Sequence, residues 1–535
     1  MARHLIILTA AFLSAWPALA EERVDLDVIH RVKSEALENS KVMEHLFYLT
    51  DVYGPRVTNS PGFFAAADWV VKQLGEWGIS AHQEKWGPYG HGWNYTRFSA
   101  NLIEPEYAPL IGFPLAFTKG TNGPVTGELV MATLANEKDL ETWKGKLRGK
   151  IVLDGPAREL GLSLQPQASR YSDSDLAALA VAPQPVPPRP NTAGNGTPGN
   201  GQPPNQGANR RFQEQLAAFL REEQPAVVVR GAGGRSEGGT VFGQGGQPDP
   251  KQAPVPPIVA LTPEHYNRLS RLLNHKIPVR VEIDIETHED DRMDSVNVVG
   301  QIDGGRKKDE IVMIGAHLDS WQGGTGATDN GAGSAVMIEA MRILKTLNLK
   351  LDRSVRIALW SGEEQGLLGS RAYVKEHFGD RETMKLGSEH AKLSGYFNVD
   401  NGSGKIRGVY LQGNDMMRPV FEAWLKPFAD MGVSTLSIRN TNGTDHLSFN
   451  EVGLPGFQFI QEPLEYQSRT HHSNMDVYDH VQGGDLMQAA AVVTSVIYHA
   501  ANREEMLPRP PLPKPQPPRN GGGVSGGSAA GAANN

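Results

Sequence analysis

Apolar and polar positions fall into three textures along the chain. In the first, apolar residues recur at helical spacing. Met43, Leu46, Phe47 and Leu49 make one stripe, and Phe63, Ala66, Val70, Val71 and Leu74 make a second behind Pro61. The Gly54-Pro55-Arg56 turn separates them, Gly78 ends the second helix, and a strand is expected over 80–86. The second texture consists of short apolar runs bounded by Gly or Pro, at 127–131, 149–153, 225–229 and 257–261. Val279, Val281, Ile283 and Ile285 then alternate with polar residues. Short strands with loops between them predict a small β-rich unit. Inside it, 183–209 is nearly all Pro, Asn, Gly, Gln and Ala, which cannot bury a core, so a mobile loop is expected.

The third texture begins with a strand over 295–302. Buried runs at 311–314, 355–360, 395–399, 408–411 and 456–460 then alternate with helical patterns. One helix carries Val336, Met337, Ile338, Met341, Ile343 and Leu344, and a last one over 485–500 carries Leu486, Ala489, Val492, Val493 and Val496. This alternation predicts an α/β fold with a mostly parallel central sheet flanked by helices.

Composition adds limits. A chain of 535 residues exceeds one ordinary core, so two or more units are expected. The net charge of -8 is mild and no basic block stands out, which argues against nucleic acid as a partner. The chain has no cysteine, which excludes disulfides, thiolate metal sites and a cysteine nucleophile. Arg3 and His4 precede an apolar run over 5–16, closed by Ala18-Leu19-Ala20. That order predicts a secretory signal peptide over 1–20, cleaved after Ala20, rather than an uncleaved anchor. A secreted or periplasmic protein is therefore expected, with no membrane span after cleavage, since no later stretch is long and apolar enough. Past Leu507 the chain turns to Pro, then Gly, Ser and Ala, and is read as a disordered tail over 506–535.

Chemistry concentrates where the buried runs end. After 311–314 come Gly315, His317 and Asp319, a glycine-rich loop, then Asp329 and Asn330. Glu363 and Glu364 follow the run ending at Trp360, Asp400 follows Asn398, and His471 and His472 lead to Asp476. The carboxyl ends of strands in open α/β sheets are where ligands bind. A site for two zinc ions needs two histidines, two terminal carboxylates and one bridging carboxylate. His317, His472, Asp400, Glu364 and Asp329 meet that inventory. Glu363 is left to take a proton from an attacking water, and Asp319 to hold the other ring nitrogen of His317. Each piece alone has a plainer reading. H-x-D is commonly a surface loop, Glu-Glu a solvated face, and Asp-Asn-Gly a turn or helix cap. Arg56 reads as a structural turn arginine or a substrate contact, and Asp445 and His446 as pocket lining or loop scaffolding.

At these residues the chain resembles the co-catalytic zinc exopeptidases of the bacterial leucyl aminopeptidase and glutamate carboxypeptidase family. The pieces are G-A-H-L-D-S from Gly315, D-N-G-A-G from Asp329, S-G-E-E-Q-G-L-L-G-S from Ser361, N-V-D from Asn398 and H-H-S-x-x-D from His471. The His-His-Ser ending is similar to the plasma glutamate carboxypeptidase branch. The resemblance implies a zinc exopeptidase fold with an inserted protease-associated-like domain over 105–290. The catalytic domain would occupy 21–104 and 291–505. It implies one zinc on His317 and Asp400, a second on Glu364 and His472, Asp329 between them, and Glu363 as general base and acid. Where many relatives carry a tyrosine that stabilises the oxyanion, this chain has His471, and that role is expected of it.

The expected activity is hydrolysis of short peptides, as an aminopeptidase or as a dipeptidase or carboxypeptidase. A glutaminyl-peptide cyclase with one zinc and a non-catalytic receptor-like protein of the same fold are the rivals. A homodimer is left open.

Overall fold

The computed structural model describes residues 22–183, 206–233, 236–246, 248 and 251–516. Two eight-stranded sheets organise them. The first is built on the strand Lys307–His317, whose side chains alternate between two buried faces. Val312, Ile314 and Ala316 join one core cluster, while Ile311 and Met313 join another on the opposite face. Burial on both faces is the condition of a parallel sheet covered by helices. Strand order is Ser80–Trp86, Ser295–Ile302, Arg353–Trp360, Lys307–His317, Leu393–Asn398, Gly456–Gln461, Ile406–Tyr410, Thr435–Ser437. The middle four strands run parallel, with Ile314 opposite Ile357 on one side and Phe397 on the other. Their carboxyl ends therefore emerge along one edge, which gathers residues far apart in sequence.

Helices Leu26–Glu38, Pro61–Glu76, Ala332–Thr346 and Gly483–Asn502 cover one face, and Leu368–His377 and His446–Asn450 the other. Ala332–Thr346 is buried on all sides for most of its length, because helices as well as the sheet surround it. Its polar residues are paired. Glu339 accepts from Arg342 Nε at 2.8 Å and lies 3.1 Å from His45 Nε2. Burial alone would raise the Glu339 pKa, but the hydrogen bonds from His45 and Arg342 outweigh it and hold the carboxylate at about 2.

The chain leaves the first sheet after Trp86 and re-enters it at Ser295, and these two residues face each other as antiparallel partners. The second sheet is built wholly from residues between them. The expected runs appear in it as Val125–Ala132, Ile151–Asp154, Val227–Gly231 and Ile258–Leu261, all mutually parallel. Gly92–Glu104, ahead of the expected start at 105, pairs with Arg280–Asp290 in the same sheet. It carries no clean alternation because register shifts at Tyr95/Arg97 and Leu102/Glu104 reset its pleat.

The unit is also less purely β than expected. Pro263–Asn274 is a helix capped by Thr262, with Tyr266 and Leu269 buried. Gln206–Glu223 is another, and its Leu216, Phe219 and Leu220 join the cluster of Val152 and Val228. This helix begins inside the stretch expected as a mobile loop, and the remainder, 184–205, lies outside the described residues. So do the expected signal peptide and 517–535. Ahead of 517 the Pro-rich segment is packed against the first sheet's unit: Leu507 is 2% exposed, and Arg509 Nη2 donates to Leu393 O at 2.6 Å. Among the described residues no helix is long and apolar enough to cross a membrane.

Candidate metal centre

His317 ends the strand Lys307–His317 and is 1% exposed. Its Nδ1 lies 2.9 Å from the backbone oxygen of Asp319, which fixes the proton there and turns Nε2 inward. The Asp319 carboxylate is farther, at 3.5 Å, and accepts instead from Thr58 Oγ1 at 2.8 Å and from the Glu363 N–H at 3.4 Å. Asp319 thus supports His317 chiefly through its carbonyl, while its side chain ties the Thr58 turn to the Glu363 loop.

The inward Nε2 of His317 meets Asp329 Oδ1 at 3.1 Å and Asp400 Oδ1 at 3.3 Å. Asp329 turns its second oxygen the other way, with Oδ2 3.0 Å from His472 Nε2. The same Nε2 lies 3.0 Å from Glu364 Oε2. One carboxylate therefore stands between two imidazole–carboxylate pairs. His471 stacks on His472 with ring centroids 3.7 Å apart and brings its Nε2 to 3.5 Å from Asp329 Oδ2. Of the eight expected side chains, six touch within this cluster, all but Asp319 and Glu363. Glu363 lies behind it, with His317, Asp400 and Asp445 as its charged neighbours.

The loops that carry these groups are cross-braced. Asn330 accepts the Gly333 N–H at 3.0 Å, capping the helix, and donates to Val399 O at 2.8 Å beside Asp400. The Asp476 carboxylate accepts the backbone N–H of Thr328 at 2.6 Å and of Asp329 at 3.3 Å. It joins the His472 loop to the Asp329 loop. Gly362, at φ +63°, makes the left-handed turn that separates Trp360 from the two glutamates. Asp445 and His446 have no exposed surface, and Asp445 lies close enough to Glu363 to act on its charge. Tyr466, unmarked by any sequence pattern, packs its ring 4.7 Å from that of His471.

Burial of so many acids shifts their chemistry. Burial first, and then the neighbouring Asp329, raises Glu364 to about 7. Burial also raises Glu363 well above the usual carboxylate range, against the pull of His317. Burial works against a charged His472, but Glu364 and Asp329 outweigh it and lift the ring to about 10. Glu364 Oε1 is buried with no hydrogen-bond partner among the described residues. Such an orphaned oxygen is costly unless a cation takes it. Among the described residues, imidazole nitrogens and carboxylate oxygens gather in two threes that share Asp329, with His317 and Asp400 in one and His471 and His472 in the other, and Glu364 beside the second; these are donors of the kind zinc takes. A narrow crevice reaches the cluster between Trp321, Asp329, Glu364, His472 and Asp476.

Residues 297–497 match the model of Peptidase family M28. Carboxypeptidase Q of Xenopus laevis is 30% identical over 501 residues, covering 93% of this chain and 92% of that protein. The crystal structure of a Peptidase M28 precursor from Shewanella amazonensis is similar over 91% of this chain and 98% of its own, with a TM-score of 0.63 at 23% identity. A zinc aminopeptidase from Bacillus subtilis is similar over 87% of this chain and 95% of its own, with a TM-score of 0.52 at 20% identity.

Proposed function

The chain belongs to peptidase family M28 and is a metallo-exopeptidase, and from that premise we propose that it cleaves short peptides through two zinc ions held by the cluster described above. The observation that carries the reading is Asp329, whose Oδ1 faces His317 at 3.1 Å and whose Oδ2 faces His472 at 3.0 Å. In this reading His317 and Asp400 would hold one ion and Glu364 and His472 the other, with Asp329 shared between the two sets. When bound, the zinc pair supplies Lewis acidity, lowering the pKa of a bound water toward ~7 and polarising the scissile carbonyl.

The protein's own groups do the rest. Glu363, with a raised carboxyl pKa, accepts the water's proton and returns it to the leaving amine. His471, ring to ring with His472 and beside Asp329, donates to the oxyanion. Thr58 and Asp319 hold the Glu363 loop in register with His317. The substrate's free amino group lies against the acidic cluster, as in an aminopeptidase or dipeptidase. Export by way of residues 1–20 belongs to the same reading.

The test is zinc per purified chain together with amino-acid release from a panel of dipeptides and aminoacyl amides. Two zincs with hydrolysis are expected, and the panel separates aminopeptidase from dipeptidase action. One zinc with cyclisation of N-terminal glutamine would replace the reading with a cyclase. No tightly held metal and no turnover after zinc is restored would end it.

A further inference from the structure

The two histidines of the cluster are held differently. His317 finds the partner for its Nδ1 two residues away, in its own loop. His472 finds it in the unit of the second sheet, 228 residues earlier in the chain, where the Gln244 side-chain amide nitrogen comes within 2.6 Å of Nδ1. The contact is not isolated. Residues 241–246 form a strap laid along the His472 loop. Gly243 N–H donates to His472 O at 3.1 Å, and Phe242 pairs with Ser473 as an antiparallel bridge. Val241 N–H donates to Asn474 Oδ1 at 2.7 Å, and Asn474 Nδ2 donates to Gly239 O at 3.1 Å.

His472 itself needs holding. It sits at φ +61°, in the left-handed region, which a residue with a Cβ adopts only where its surroundings fix it. Its ring must also present one nitrogen and not the other. With Nε2 facing Asp329 and Glu364 and given to a metal, Nδ1 must carry the proton; the Gln244 amide, which turns its nitrogen to Nδ1 here, becomes the fitting acceptor once it rotates by half a turn and brings its oxygen to the same place.

We propose that Gln244 is a positioning residue for the metal centre: the strap of the second-sheet unit sets the tautomer and orientation of His472, so that this unit is a working part of one zinc site and not an accessory beside it. The inference rests on the two-zinc reading above. It gives the unit a function at the reaction centre, through a glycine-rich segment laid along the His472 loop.

The test is Zn²⁺ titration of the metal-stripped full chain against a competing chelator, on wild type, Gln244→Leu and Gln244→Glu. Wild type is expected to bind two ions. Gln244→Leu, similar in size but without an acceptor, should weaken one of the two by ~10–100-fold and leave the other unchanged. Gln244→Glu, which keeps an acceptor oxygen, should restore the lost affinity. Equal binding of both ions by Gln244→Leu and wild type would overturn the proposal. So would equal weakening by the Leu and Glu variants, since the role would then not be that of an acceptor. Wild type failing to bind two ions would instead defeat the two-zinc reading, so the two failures are told apart.

Discussion

Glu363 and Glu364 share a peptide bond but not an environment. The turn after Trp360 points Glu364 at His472, at 3.0 Å, and leaves Glu363 among His317, Asp400 and Asp445. If Glu363 is the proton carrier, Glu363→Gln keeps the shape and the metal and removes the carrier. Zinc content should stay at two per chain while kcat falls by ~10²–10⁴-fold. Metal analysis beside dipeptide turnover checks this, and near-normal turnover would remove Glu363 from the role. At this scale the side chains that converge were legible in the sequence, because each follows a buried run and parallel strands deliver their ends to one edge. Other contacts were not. Nothing in a sequence says that Asp319 meets His317 through its carbonyl and not its carboxylate. Gln244 lies in a glycine-rich run without period, and Thr58 and Tyr466 look like any turn residue.

Among elements, the Gly54-Pro55-Arg56 turn shows how one side chain can fasten several. Arg56 has no exposed surface, and its guanidinium donates to the carbonyls of Leu49, Leu318, Thr325 and Gly326. It pins the glycine-rich loop ahead of Asp329 to the N-terminal helices. Burial lowers its pKa to about 10, although Asp476, Asp319 and Asp329 pull upward. This settles it as a structural arginine. A lysine cannot fork to four carbonyls, so Arg56→Lys should cost about 3 kcal/mol, read from the midpoint of chemical denaturation. The strands of the first sheet were legible because both faces are buried and the apolar runs are continuous. Thr435–Ser437 escaped notice, since three residues carry no period. Gly92–Glu104 escaped because its register shifts break the alternation that marks a strand.

At the scale of the whole molecule, the Pro-rich segment after the last helix is a fastening and not a tail. Leu507 fills the space above Gly395, where a Cβ would come within 2.7 Å of it, and its N–H donates to Ser394 Oγ at 3.1 Å. Pro508 O accepts from Asn414 Nδ2 at 2.8 Å. A chain ending at Glu505 should be less stable than one ending at Gln516 by about 3 kcal/mol, from one buried leucine and its hydrogen bonds. Thermal unfolding of the two compares them, and equal stability would mean the contacts add nothing. Composition pointed the other way here, because proline-rich sequence cannot form a core of its own yet can still lie against one.

The pairing of Trp86 with Ser295 has a consequence for how such a molecule can be made and remade. To the first sheet, everything between those two residues is the turn of a hairpin. The entropy of closing a loop grows only with the logarithm of its length, each doubling adding roughly 0.6 kcal/mol. Lengthening a hairpin turn into a second sheet therefore leaves the first fold almost indifferent. The same junction would accept a short artificial turn or another folded body, as a socket accepts a different plug. What such a graft would have to reproduce is the strap along the His472 loop: its backbone bonds to His472 and Asn474 and the Gln244 amide held against the far side of one histidine ring.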